Sequence, residues 1–299
     1  MNPFKERKVQ VIVRVQRPDA EGTAQDLEYA FEQHRMSITV SQGGKQFGNA
    51  KVVIYGVRLD AMNQIARLWL EALTPQATDM LELNVWDGQA YLPFFSGVIT
   101  WSTVNASQQP QVALEIEAND AMAGMIATAS PYAQEGPVAL WDALTAILEP
   151  VGFVVDYADT VPDIYITRAR VTGTPIEQAG KLMAYFPDLT WHVNLQRFIV
   201  RNANEPYDEN AIPVARETGM VGYPVYSTSG LSFSTLFDAR IRPGVPLDVR
   251  TEFDFVNRTK WVASVLQHNL QPNTPGGAWM TNIAANSFGT KGNTDGASA

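Results

Sequence analysis

Residues 8–16 place Val9, Val11, Val13 and Val15 on one side and Gln10, Arg14 and Gln16 on the other. A period of two with one apolar and one polar face predicts a half-buried β-strand. The same grammar, broken by turn residues, predicts strands over 36–41, 51–55, 80–86, 95–102 and 111–118, so the opening third is mostly sheet. One segment departs from it. Behind Asp60, a candidate cap, Met62, Ile65, Ala66, Trp69 and Leu73 recur at helical spacing and predict a helix packed across the sheet.

Between residues 122 and 204 the pattern becomes helix followed by strand, twice. Pro137 opens a helix carrying Leu140, Trp141, Leu144, Ile147 and Leu148, which stops at Pro150 and Gly152 and leads into a strand over 153–157. Thr174, Pro175 and Glu177 then form a capping box with proline in the first turn. That helix carries Ile176, Leu182, Met183 and Phe186, ends at Pro187, and is followed by strands over 190–195 and 198–201. The region reads as a small repeated α/β module.

Residues 202–219 form a polar connector, after which strands are predicted over 225–229, 232–237, 247–253, 261–270 and 279–284. The strand pair over 95–118 and the pair over 261–284 each follow an alternating strand and enclose a turn, which suggests one barrel-like domain used twice. The expected fold class is α+β, mostly β. A first β-barrel domain with one helix covers 1–120, the α/β module 121–204, the connector and second barrel 205–286, and a flexible tail 287–299.

With 299 residues, 45% of them apolar, the chain can bury a full core. It contains no cysteine, which excludes disulfides, thiolate metal ligands and cysteine nucleophiles and fits synthesis in a reducing cytosol. The N-terminus lacks the apolar stretch of a secretory signal, and no segment approaches the ~20 apolar residues of a membrane span. No membrane binding is expected.

The net charge of −9 is uneven: residues 68–167 hold thirteen Asp or Glu and no Lys or Arg. Phosphate binding depends on Lys and Arg, so this block argues against gripping nucleic acid. It reads as a solvated acidic surface, as a wall that DNA passes without sticking, or as a patch facing a basic partner.

Candidate chemistry is sparse. There is no phosphate-binding loop of the Walker type, and Gly43, Gly44 and Gly48 lack the spacing of a dinucleotide fingerprint. His34, His192 and His268 are scattered and belong to no paired zinc motif, so no metal and no cofactor are expected. Ser229-Gly230 lacks the frame of a nucleophile elbow. Glu115 and Glu117 share one strand face at roughly 6.6 Å of rise, near the spacing of inverting glycosidases. Leu114 and Ile116 take the opposite face, so the two glutamates occupy the solvated side of a half-buried strand. Trp86, Tyr91, Phe94, Phe95 and Trp101 suit a core or subunit contact better than a sugar platform. No catalytic residue is assigned.

The C-terminal region carries an ordered pattern: Gly230-Leu231-Ser232-Phe233, Leu236-Phe237, Ala239-Arg240-Ile241-Arg242-Pro243-Gly244, then Trp261 through Leu270, then Pro275-Gly276-Gly277-Ala278-Trp279-Met280-Thr281. It resembles the baseplate hub proteins of contractile phage tails, the group that includes late control protein D and the T4-type hub. The resemblance implies a structural protein of the virion tail baseplate, made in the host cytoplasm. It implies a homotrimer in which each subunit supplies two tube-protein-like β-barrel domains, a pseudo-hexameric ring matching the tail tube protein. A trimeric spike and other baseplate proteins are the further partners, and DNA is present only in transit. No spike module is expected after Ser287, so the spike is a separate chain.

On that reading Arg242, Pro243, Gly244, His268, Gly276, Gly277 and Trp279 are fold-motif and interface residues. Asp79, Glu82, Asp87, Glu115, Glu117 and Asp120 are the expected acidic lining of the channel. The rivals are another tube or tailocin component, and a carbohydrate-acting or cell-wall-binding tail module.

Overall fold

The computed structural model describes residues 6–18, 21–44, 47–67, 76–107, 109–203, 205–228 and 230–290. The first strand, β1 (Val9–Pro18), buries Val9, Val11, Val13 and Val15 as their alternation predicts. It pairs with β2 (Ala24–Phe31) on one side. β2 is not among the strands expected from sequence, since its apolar positions Leu27, Tyr29 and Phe31 are few and alternate with Asp26, Glu28 and Ala30. Next come β3 (Met36–Gly43), β4 (Asn49–Tyr55), α1 (Leu59–Ile65), β5 (Met80–Trp86), β6 (Tyr91–Asn105) and β7 (Ala113–Asn119).

The short helix α1 packs Ala61, Met62 and Ile65 into the core of this sheet. Its N-cap is Arg58, and Asp60 lies inside the first turn, where it pairs with Arg58 and is not the N-cap. Ala66 leaves the helix in an extended conformation, and the expected continuation through Trp69 and Leu73 lies outside the described residues.

In the middle region α2 (Met122–Ile126), β8 (Tyr132–Gln134) and β9 (Val138–Ala139) precede α3 (Leu140–Leu148). This helix starts later than Pro137 suggests, because Val138 and Ala139 pair with β11 (Tyr165–Ile166), which follows β10 (Val154–Tyr157). A 3-10 turn over Glu149–Val151 follows the helix, and Gly152, at φ +85°, closes that turn in the left-handed region that glycine tolerates. After β12 (Ala169–Val171), α4 (Pro175–Met183) has the expected capping box: the Thr174 hydroxyl accepts from the Glu177 amide, and the Glu177 carboxylate accepts from the Thr174 amide. β13 (Leu189–Asn194) and β14 (Arg197–Asn202) form a hairpin, and β10 adds to β14 in parallel. Leu144, Leu148, Phe153, Ile176, Leu182 and Phe198 are among the residues of a separate core here.

The connector is not all loop: β15 (Ile212–Val214) and a 3-10 turn over Arg216–Thr218 interrupt it. β16 (Met220–Ser227), β17 (Gly230–Leu236), β18 (Pro246–Val249), α5 (Asp254–Arg258), β19 (Thr259–Leu270) and β20 (Trp279–Thr290) complete the chain. The strand expected over 247–253 stops at Val249, since the chain turns into α5, where Val256 packs inward and its carbonyl accepts from the Trp261 indole at 3.0 Å. β20 runs beyond the expected 284, and residues 291–299 lie outside the described ones.

The chain is α+β and mostly β. Its principal sheet follows one open path, β16-β17-β20-β19-β3-β4-β7-β6-β5-β1-β2, with β18 attached to β19 and β15 to β18. Among the described residues no strand pairing closes this path into a barrel. The N-terminal and C-terminal strand regions meet through β3 and β19, which pair from Ile38↔Leu270 to Gly43↔Val265. At that seam Gly43 has φ +82°, and a Cβ there would lie 2.1 Å from the Ser264 carbonyl oxygen. Only glycine permits the approach.

Candidate functional site

The pattern singled out near the C-terminus folds into a joint between three parts of the molecule. Arg242, mostly buried, donates through Nη2 to the Pro93 carbonyl at 3.1 Å, on β6, and through Nε to the Ala239 carbonyl at 3.2 Å. Burial, with Arg197 nearby, pulls its pKa below the ordinary arginine value. Pro243 packs beside Gly43, and the Gly244 amide donates to the Ala263 carbonyl of β19 at 2.8 Å. The Gly244 carbonyl accepts from the Tyr207 amide at 2.9 Å, and at φ +87° the residue sits against the Arg201 side chain. These residues carry the fold, in keeping with a turn that feeds a strand.

His268 lies inside the core. It is fully buried on β19, its Nδ1 lies 2.9 Å from the Thr281 Oγ1 of β20, and the rings of Phe94 and Phe237 meet it edge-on. Burial, helped by Arg242, lowers its pKa to about 3, so the ring is neutral. An interface role for His268 is therefore corrected: the side chain does not reach the surface. Trp279 is half-buried against Phe237, with ring centroids 5.7 Å apart. Gly276 takes φ +68°, and Gly277 passes so close to the Gln271 carbonyl that a Cβ would meet it at 2.6 Å. Both serve the return turn before β20.

The acidic residues expected to line a channel are dispersed. Asp79 is 1% exposed and holds Arg17 at 2.9 Å and Arg67. Asp120 is 4% exposed, beside Gly48, and among the described residues no side chain or cation pairs with its carboxylate. Burial raises the Asp120 pKa well above the ordinary carboxylate value, although the backbone at Gly48, Asp120 and Ala121 favours the anion. Buried carboxylates cannot line a channel, so both assignments are corrected.

The other four lie nearer the surface. Glu82 pairs with Arg14. Asp87 accepts from the Gln89 and Ala90 amides at 2.7 and 2.8 Å and closes the β5–β6 turn. Glu115 and Glu117 do share one face, as expected, but Lys51 sits with them at 3.8 and 3.0 Å. Arg14, Arg17, Lys51 and Arg67 all lie outside the acidic stretch of sequence. Folding brings cations from β1, β4 and the segment after α1 onto it, where they pair with Asp79, Glu82, Glu115 and Glu117.

Two further surfaces are not expected from sequence. β16, at one end of the sheet path, exposes Tyr223, Val225 and Tyr226 next to Phe253 and Phe255. The signal was present in Tyr223-Pro224-Val225-Tyr226, whose alternation is broken by Pro224. A cavity of about 400 Å³ lies between the β3–β4 turn and the α4–β13 region, lined by Phe47, Met183, Phe186, Trp191 and His192 among others. Burial, with Arg201 nearby, lowers the His192 pKa to about 4. Among the described residues no group of three or more His, Asp or Glu is placed to hold a metal ion, and no helix is long and apolar enough to cross a membrane.

Comparison with solved structures places the fold. The 43 kDa tail protein of prophage MuSo2 from Shewanella oneidensis superposes with a TM-score of 0.60 at 8% identity, covering 94% of this chain and 97% of that one. The tail protein from Neisseria meningitidis MC58 gives 0.60 at 12% identity, covering 93% and 96%. The E. coli c3393 protein, a type VI secretion component with structural similarity to the T4 tail proteins gp27 and gp5, gives 0.57 at 10% identity, covering 85% and 73%. No curated protein sequence matches the chain. The family described as Baseplate hub gp41 matches residues 87–274, more than half of the chain, across the α/β region and the joint at Arg242-Pro243-Gly244. The chain thus belongs to the baseplate hub gp41 family, as a structural component of a phage tail.

Proposed function

We propose that the chain is the hub subunit of a tail baseplate, and that three copies form a pseudo-hexameric ring. The ring joins a hexameric tail tube to a separate trimeric spike and encloses the channel through which DNA leaves. Each copy contributes two tube-like units, residues 1–120 and 205–286, with the α/β module of 121–204 between them.

The observation that carries this reading is the β3–β19 seam, which joins the two strand regions into one sheet within a single chain. Three copies then present six such units, which matches a three-fold spike to a six-fold tube, and a closed rotational arrangement is the usual solution for repeated subunits. Interface residues drawn from the surface are better sought around β16 and Trp279 than at His268. Electron-microscopy class averages of the purified chain with its spike should give closed rings of three subunits and six lobes. Open filaments or rings of six subunits would overturn the proposal.

A further inference from the structure

The outward face of the principal sheet changes character along its path. On β2, β1 and β5 it carries Asp26, Glu28, Arg14 and Glu82, as an ordinary solvated sheet does. On β17, β20, β19 and β3 the outward positions from 37 to 41, 232 to 236, 265 to 269 and 280 to 284 hold no charged residue. One row of directly paired positions, Ser234, Asn282, Gln267, Ser41 and Asn49, crosses five strands with hydroxyls and amides alone.

Several of these side chains satisfy one another. Ser234 donates to Asn282 at 2.8 Å, Asn119 to Asn49 at 2.9 Å, and Thr39 to Asn269 at 3.3 Å. The first cation beyond the row, Lys51, is held by Glu117 and Glu115. The band lies across the β3–β19 seam, so it is continuous between the two strand regions. Sheet faces left in bulk water gain solubility from charge, and this one forgoes it over four central strands.

We propose that this uncharged band, a polar row flanked by Leu236, Val265, Met280 and Ala284, lines the lumen of the assembled ring and is the surface along which the phosphate backbone of DNA passes. The inference rests on the ring reading above and deepens it. Lys or Arg on the band would bind phosphate through counterion release and slow the polymer, and a row of carboxylates would oppose its entry. Uncharged amides and hydroxyls, several of them bonded to one another, do neither. The lining then comes from this band, and the acidic stretch of the sequence is not required for it.

The chain has no cysteine, so Gln267→Cys supplies a unique thiol at an exposed position. The variant is assembled, its trimeric mass is checked, and it is then treated with a small biotin maleimide followed by streptavidin. We expect the maleimide to react in the trimer and streptavidin to bind only after dissociation to monomers. Streptavidin binding to the intact trimer would overturn the proposal, as would a thiol that the maleimide cannot reach, which would place the band in a subunit contact. Failure to form a trimer, with or without the spike, would remove the ring reading itself and is seen beforehand in the mass.

In a second arm, the Gln267→Lys/Asn282→Lys trimer should retain duplex DNA about tenfold or more above the wild-type trimer at low salt, an excess that fades as salt rises. Equal retention by the two trimers would contradict the lumen placement.

Discussion

Arg17 on β1 and Asp79 just before β5 form an ion pair at 2.9 Å in which the carboxylate is 1% exposed. Arg67 donates to the same oxygen, Asp79 Oδ2, and the Gln16 amide donates to Asp79 Oδ1 at 3.2 Å. Removing the acid leaves two largely buried guanidinium groups without their counter-charge. Asp79→Asn should therefore lower stability by about 3 kcal/mol, seen as a fall in the denaturation midpoint. A midpoint unchanged within error would show that water replaces the carboxylate without cost.

The seam between the two strand regions tolerates no side chain at position 43. Gly43→Ala places a Cβ against the Ser264 carbonyl and strains a residue at φ +82°. We expect a loss of roughly 2 kcal/mol or more, with early hydrogen exchange in β3 and β19. Gly22→Ala has a similar φ, +84°, but open space around it, and should cost less. Equal losses for the two variants would mean that the close approach contributes nothing beyond backbone strain.

Acid should weaken the fold through His268, fully buried, and His192, partly buried. The pKa of His268 is lowered to about 3 and that of His192 to about 4, in both cases mainly by burial. Between these values and about 6.5 the unfolded chain binds protons that the folded chain does not. Stability accordingly falls as pH drops through that window, by up to about 1.4 kcal/mol per pH unit for each histidine. Urea midpoints between pH 7 and 4.5 should decline, and His268→Gln should decline less steeply. The same slope in the variant would refute the assignment.

Asp120 has the opposite sign. Its pKa is raised by burial, so between the ordinary carboxylate value and the raised one the folded chain holds a proton that the unfolded chain has lost. Stability falls as pH rises through that window. Asp120→Asn should stabilise the protein at pH 7.5 by roughly 1–3 kcal/mol, with the gain shrinking toward pH 4. A variant no more stable than wild type at pH 7.5 would contradict this.

Much of this architecture was legible in the sequence where one local rule acted alone. Val9 to Val15 alternate and are buried, and Thr174 with Glu177 form the capping box their spacing predicts. Failures came where long-range pairing decided. Val138 and Ala139 have neighbours that favour a helix, yet they pair with β11, and β2 is held by β1 despite its weak pattern. The acidic block misled for the same reason. Linear charge counts do not see that Arg14, Arg17, Lys51 and Arg67 fold onto it. Nor does a linear reading align Ser234, Asn282, Gln267, Ser41 and Asn49, which become neighbours only through register.

The most direct test of the hub assignment is the mass of the purified chain in solution, by light scattering over a range of concentrations, alone and with its spike. The account predicts three times the 32.9 kDa chain mass, or a monomer that converts to a complex of three chains with a trimeric spike. A stable monomer indifferent to the spike would contradict it.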